Sequence, residues 1–136
     1  MDEVIRLFWN TYLWAAVLSW MVAQSVKLLL NLSKKKRWDF KVYASTGGMP
    51  SAHTATVSGL AMAVGRGIGF SSSQFAIALI FATIVITDAL HLRQEVGRHS
   101  EVLEKLTKEK FNTSSGHRMS EVVVGLIIGA VVGWFL

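Results

Sequence analysis

Apolar residues fall in four long blocks, over 7–32, 51–70, 74–92 and 118–136, with polar or basic stretches between them. A bilayer core of about 30 Å takes about 20 helical residues at about 1.5 Å each, so every block is long enough, or nearly so, to cross. The pattern predicts an all-α integral membrane protein, a single domain over 1–136 with four transmembrane helices. An ordinary soluble domain, a disordered tail and a β-barrel do not fit it. The second block is crowded with small residues (Ala52, Ala55, Ser58, Gly59, Ala61, Ala63, Gly65), and the fourth carries Gly125, Gly129 and Gly133 at four-residue spacing. Small residues let membrane helices approach closely, so both blocks should present packing faces, within the chain or between copies of it. Ser71, Ser72 and Ser73 mark a tight turn between blocks two and three. In the polar stretch after block three, Val102, Leu103 and Leu106 line one side of a short helix ringed by Glu101, Glu104, Lys105 and Lys108. This predicts a short cytoplasmic amphipathic segment between helices three and four.

Composition and charge narrow the class. Hydrophobic residues make up 51% and charged residues 17% of the 136, and there is no cysteine. Disulfides, iron–sulfur clusters, thiolate zinc sites and cysteine nucleophiles are therefore excluded. The net charge of +5 suggests nucleic acid, but the basic residues Lys34, Lys35, Lys36, Arg37 and Lys41 follow an apolar block directly. That is where cytoplasmic loops of membrane proteins collect charge, and no base-stacking or groove-reading motif accompanies them. No nucleic-acid partner is expected. The positive-inside rule puts both long loops in the cytoplasm. The opposite side carries only Arg6 and Arg66 as basic residues.

The chemistry-bearing residues cluster on the cytoplasmic side. Gly47-Gly48-Met49-Pro50-Ser51-Ala52-His53 runs into the start of helix two. Two glycines permit a tight backbone with outward N–H groups, Pro50 suits a first helical turn, and a helix N-terminus attracts anions. The plainer reading is a glycine turn followed by an interfacial histidine. Gly116-His117-Arg118-Met119-Ser120-Glu121 opens helix four, with Ser114 or Ser115 as a cap. His117 and Glu121 are four apart, so on a helix the carboxylate can orient the imidazole and leave its other nitrogen free to attack. The plainer reading here is a first-turn glutamate that complements the helix dipole. Lys27, near Gln24 at the far end of helix one, adds a cation or is only a snorkelling anchor. Asp88, His91, Arg93, Gln94, Gly97 and Arg98 end helix three. A divalent-metal site from Asp88, His91 and Glu95 matches no strong motif, so no metal is assigned.

This ordered set resembles the divergent, small membrane branch of the type 2 phosphatidic-acid phosphatase and vanadium haloperoxidase superfamily. The resemblance rests on the Gly47–His53 segment, on Thr87-Asp88-Ala89 with Arg93 and Gly97, and on Gly116-His117 with Glu121-Val122. It implies a metal-independent phosphatase with a histidine nucleophile and no cofactor. Pro50-Ser51-Ala52-His53 is similar to the superfamily's Pro-Ser-Gly-His motif, whose histidine is the general acid. His117 and Glu121 resemble its nucleophilic histidine and the carboxylate that orients it, and Lys27 resembles its first-motif lysine. The Arg-Pro that follows that lysine in the superfamily is missing, Phe111 stands where an arginine is expected, Ala52 replaces glycine, and Glu121 replaces aspartate.

The resulting expectation is a lipid-phosphate phosphatase of the bacterial plasma membrane, with its active site on the cytoplasmic side. Its substrate would be a phosphomonoester such as phosphatidylglycerophosphate, phosphatidic acid or a polyprenyl phosphate. Its catalytic residues are His117, His53 and Glu121. Its phosphate-binding residues are Lys27, Gly47, Gly48, Met49, Ser51 and Arg93. The superfamily's membrane phosphatases typically use six helices, so four imply a homodimer or higher homo-oligomer. The rival expectation is a non-catalytic module that binds anionic lipid head groups or scaffolds a partner.

Overall fold

In a computed structural model, residues 8–35, 48–107 and 119–136 are described. They form four helices and no strand: α1 (Thr11–Lys35), α2 (Ala52–Ile68), α3 (Ser73–Thr107) and α4 (Met119–Phe135). Local signals set several of the ends. Asn10 Oδ1 accepts from the Leu13 N–H at 3.1 Å and starts α1. Gly69, at φ 113°, closes α2 in a backbone conformation that L side chains resist. Ser72 then starts α3, its hydroxyl accepting from the Phe75 N–H at 3.2 Å.

Helix α2 is the central element, packed against all three others. Along α1, Tyr12 meets Gly67, Ser19 meets Gly59, and Ala23 joins Ala52 and Ala55 in one buried cluster, so α1 and α2 run antiparallel. Along α4, Gly125 lies over Ser51 and Thr54, Gly129 over Ala55 and Ser58, and Gly133 over Gly59 and Met62. That order makes α4 parallel to α2. Helix α3 turns back through the serines and lays Ala78 and Ala82 beside Val57 and Ala61. The glycine ridge of α4 is thus a seam within one chain. A Cβ on any of its three glycines would run into α2 backbone.

The core is built of small residues and the large apolar ones face outward. Ala15, Ala16, Ala23, Ala55, Ala61, Ala63 and Ala82 are buried, whereas Ile77, Ile80, Phe81, Ile84, Leu126, Ile127 and Val131 are exposed. In water such a distribution would be unfavourable, and in lipid it is the natural one. Two stretches, Thr11–Ser33 and Ser73–His91, are long and apolar enough to cross a membrane. Helices α2 and α4 have 17 residues each, about 26 Å of helix. Exposed Trp9, Trp14, Trp134 and Phe135 gather at one end of the bundle, as interfacial aromatics do.

One expectation is corrected. The amphipathic segment is not a separate short helix. It continues α3 unbroken to Thr107, giving a helix of 35 residues and about 52 Å. No proline interrupts residues 73–107, and the one glycine after residue 92, Gly97, costs only about 1 kcal/mol in a helix. Val102, Leu103 and Leu106 are exposed on this extension.

The seam yields a stability prediction. Gly129→Val forces a branched side chain against Ser58 and the backbone of Ala55 and Gly59. It should lower stability by about 3 kcal/mol, read as thermal unfolding in detergent, while Val131→Leu on the exposed side of α4 leaves the midpoint in place.

Candidate functional site

The helix directions bring the motif-bearing ends together. With Tyr12 at Gly67, Ser19 at Gly59 and Ala23 beside Ala55, the antiparallel register puts Lys27 level with Ser51. The α2–α3 register puts Asp88 near the same level. The parallel α2–α4 pair places both N-termini at this end, and a hydrogen bond ties them. The Ser51 N–H donates to the Glu121 backbone carbonyl at 2.9 Å. Glu121, half-buried, stands one turn before Gly125 on the face that packs against α2.

The turn into α2 departs from expectation in one respect. Pro50 is not in the first helical turn. It precedes the N-cap, is fully buried, and follows Met49 through a cis peptide bond. Ser51 is the N-cap because its Oγ can reach the first turn, accepting from the Thr54 N–H at 3.4 Å and from Thr54 Oγ1 at 3.0 Å. Ser51 and Thr54 are both fully buried. With its N–H bound to Glu121 and its oxygen to Thr54, Ser51 has only its hydroxyl proton left to offer a ligand. Gly48, at φ 94°, supplies the left-handed turn expected of the glycine pair, and Met49 is exposed beside it.

Lys27 and Gln24 are buried at 6% and 4% exposure on the inner face of α1. A buried ammonium is costly away from an anion or a polar lining. Lys27, Gln24, His53 and Glu121 each have polar or electrostatic contacts. Asn31, one turn past Lys27, extends the polar stripe. Its Nδ2 is buried and donates to no hydrogen-bond acceptor among the described residues. An unsatisfied buried donor costs about 1–3 kcal/mol and asks for a reason. No sequence motif marks Asn31; its four-residue step from Lys27 is the signal that points to it.

His53 sits in the first turn of α2 as expected, but it is exposed and on the flank shared with Val57 and Ala61, the α3 side. Thr54 and Ser58 carry the α4 side. Gly47 and His117 lie outside the described residues, as do the alternative caps Ser114 and Ser115 and the side chain of Arg93. Asp88 is exposed at the edge of the α3 packing face. Among the described residues no three His, Asp or Glu side chains come together to hold a metal ion.

Comparison with known proteins places this end of the bundle in a family context. Residues 8–132 match the divergent PAP2 family. A membrane protein of Bacillus subtilis (strain 168), YuiD, described as uncharacterized, is 34% identical over 102 residues, which is 75% of this chain and 65% of that protein. The match therefore spans just under two thirds of the relative's length. No solved structure matches. Small buried core, outward aliphatics and the ordered motifs of residues 27, 47–53, 88 and 117–121 all lie inside the matched region, and the chain belongs to the divergent PAP2 family of membrane proteins.

Proposed function

We propose that this protein is a lipid-phosphate phosphatase that works without a metal, through a phosphohistidine on His117. The observation that carries the reading is the Ser51 N–H···O=C Glu121 hydrogen bond, 2.9 Å long. It pins the segment bearing His53 to the turn bearing Glu121, with buried Lys27 level with both. Phosphoryl transfer asks for positioned donors around three equatorial oxygens more than for covalent machinery.

In the first step the free imidazole nitrogen of His117 attacks phosphorus. The N–P bond forms as the P–O ester bond breaks, and His53 gives its proton to the departing alkoxide. In the second, water attacks the phosphohistidine, His53 takes its proton, and the P–N bond breaks to release inorganic phosphate. Glu121 orients His117. Lys27, the amides of Gly47, Gly48 and Met49, the Ser51 hydroxyl and Arg93 bind the oxygens. The reading further takes all four helices as spans and this end as cytoplasmic, in a bacterial plasma membrane. It makes the working unit a homodimer or larger homo-oligomer. A lipid can present its phosphomonoester here without leaving the bilayer.

The test is release of inorganic phosphate by purified protein from a panel of phosphatidylglycerophosphate, phosphatidic acid and polyprenyl phosphate, with vanadate and chelator arms. Hydrolysis of one or more lipids is expected, blocked by vanadate and unaffected by chelator. Loss of activity in chelator with recovery in Mg²⁺ would overturn the metal-independent mechanism. Binding of the lipids without phosphate release would favour the non-catalytic module instead, a rival supported by Phe111 and by the missing Arg-Pro after Lys27.

A further inference from the structure

The end of the bundle opposite Lys27 carries a cavity of about 360 Å³ lined by Thr11, Tyr12, Ala63, Arg66, Gly67 and Leu136. We propose that it is a binding site for the phosphate-bearing head group of a membrane lipid, separate from the site at the other end and independent of the phosphatase reading.

Arg66 is the charge that defines it. It lies in the last turn of α2 and is the basic side chain of the described residues at this end. Its guanidinium stands over the Trp134 ring, 5.7 Å from the centroid. That contact holds the planar fork in place without using its N–H donors, which stay available for a phosphate. Among the described residues no carboxylate forms an ion pair with it. Beside it the cavity offers the hydroxyls of Thr11 and Tyr12. Gly67 leaves room for the phenol: a Cβ there would come within 2.7 Å of Tyr12 Oη.

The surroundings identify the source of the anion. Phe8, Trp9 and Phe135 are exposed at 67%, 81% and 80% around this end. Aromatics so placed sit at the level of lipid head groups, with acyl chains alongside them. A soluble anion would need no such collar, whereas a lipid uses collar and cation together. The volume is within the usual range for a small-molecule site, about 300–1,000 Å³, and fits a phosphate with a glycerol.

The test uses the full chain in nanodiscs of digalactosyldiacylglycerol, a bilayer lipid without phosphate, with a small fraction of phosphatidylglycerol bearing a photoactivatable group on its head group. Cross-links are mapped by peptide mass spectrometry. Labelling is expected on peptides holding Tyr12, Arg66 and Trp134. It should fall about tenfold or more in Arg66→Gln, and less in Arg66→Lys, which keeps the charge and loses the fork. Excess unlabelled phosphatidylglycerol should compete, and inorganic phosphate should not. Equal labelling in Arg66→Gln would overturn the site, and so would labelling confined to the Lys27 end. Efficient competition by inorganic phosphate would overturn the lipid as its ligand. Phosphatase activity in Arg66→Gln should match the parent protein, and labelling at this end should persist in Lys27→Met, so a failure here and a failure of the proposed activity are told apart.

Discussion

Release of phosphate from the lipid substrate should fall by about 10⁴-fold or more in His117→Ala, the largest effect of any single change, because that imidazole supplies the bond-forming nitrogen. Thermal unfolding should be unchanged. Among the described residues, the tight contacts of α4 are at Glu121, Val122 and Gly125, four or more residues further on. A trapped intermediate gives the sharper readout. Protein incubated with ³²P-labelled substrate and quenched in alkaline denaturant should carry an acid-labile, base-stable label, absent in His117→Ala. Glu121→Gln should keep the label and form it more slowly. His53→Ala should slow both formation and breakdown, since one imidazole serves as acid and then as base. Full activity in His117→Ala would remove the nucleophile assignment. Activity retained in His53→Ala would say that its position on the α3 side of α2 keeps it out of the reaction.

That position shows where sequence reasoning stops. Helix existence was legible because lipid-facing helices must be continuous apolar blocks, and blocks over 7–32 and 118–136 correspond to Thr11–Lys35 and Met119–Phe135. The spacing of Gly125, Gly129 and Gly133 announced a packing face. Its partner was not legible, since a four-residue step says nothing about whether the opposing backbone belongs to α2 or to another copy. Small residues lie on every side of α2, so the sequence placed His53 on a turn and left its facing open. The end of α3 was hidden for another reason. Polar residues from Arg93 onward read as loop by hydropathy, yet most of them are good helix formers, and continuity is decided by propensity once the chain has left the apolar region. Ser51 displaced Pro50 from the helix start because a hydroxyl that reaches the Thr54 N–H satisfies a donor that proline cannot.

Lys27→Met should lower kcat/KM for the lipid substrate by about 10²–10³-fold and weaken vanadate inhibition in parallel, while the protein still folds and inserts. At 6% exposure the ammonium is removed from water on the inner face of α1, level with Ser51, and a methionine of similar length fills its space. A lysine kept only to anchor α1 at the membrane surface behaves in the opposite way. Its replacement would disturb insertion and stability and leave turnover per folded molecule untouched. The pairing of Lys27 with Asn31 sharpens the contrast. The Asn31 Nδ2, buried without an acceptor among the described residues, lies one turn further along the same stripe. A phosphate held there would give the Asn31 amide an acceptor and the Lys27 ammonium a further anion, which is the arrangement expected of groups kept for a ligand. Vanadate should therefore raise the unfolding temperature of the parent protein and fail to raise that of Lys27→Met. An equal rise in both would show that the anion binds elsewhere and would take Lys27 out of the site.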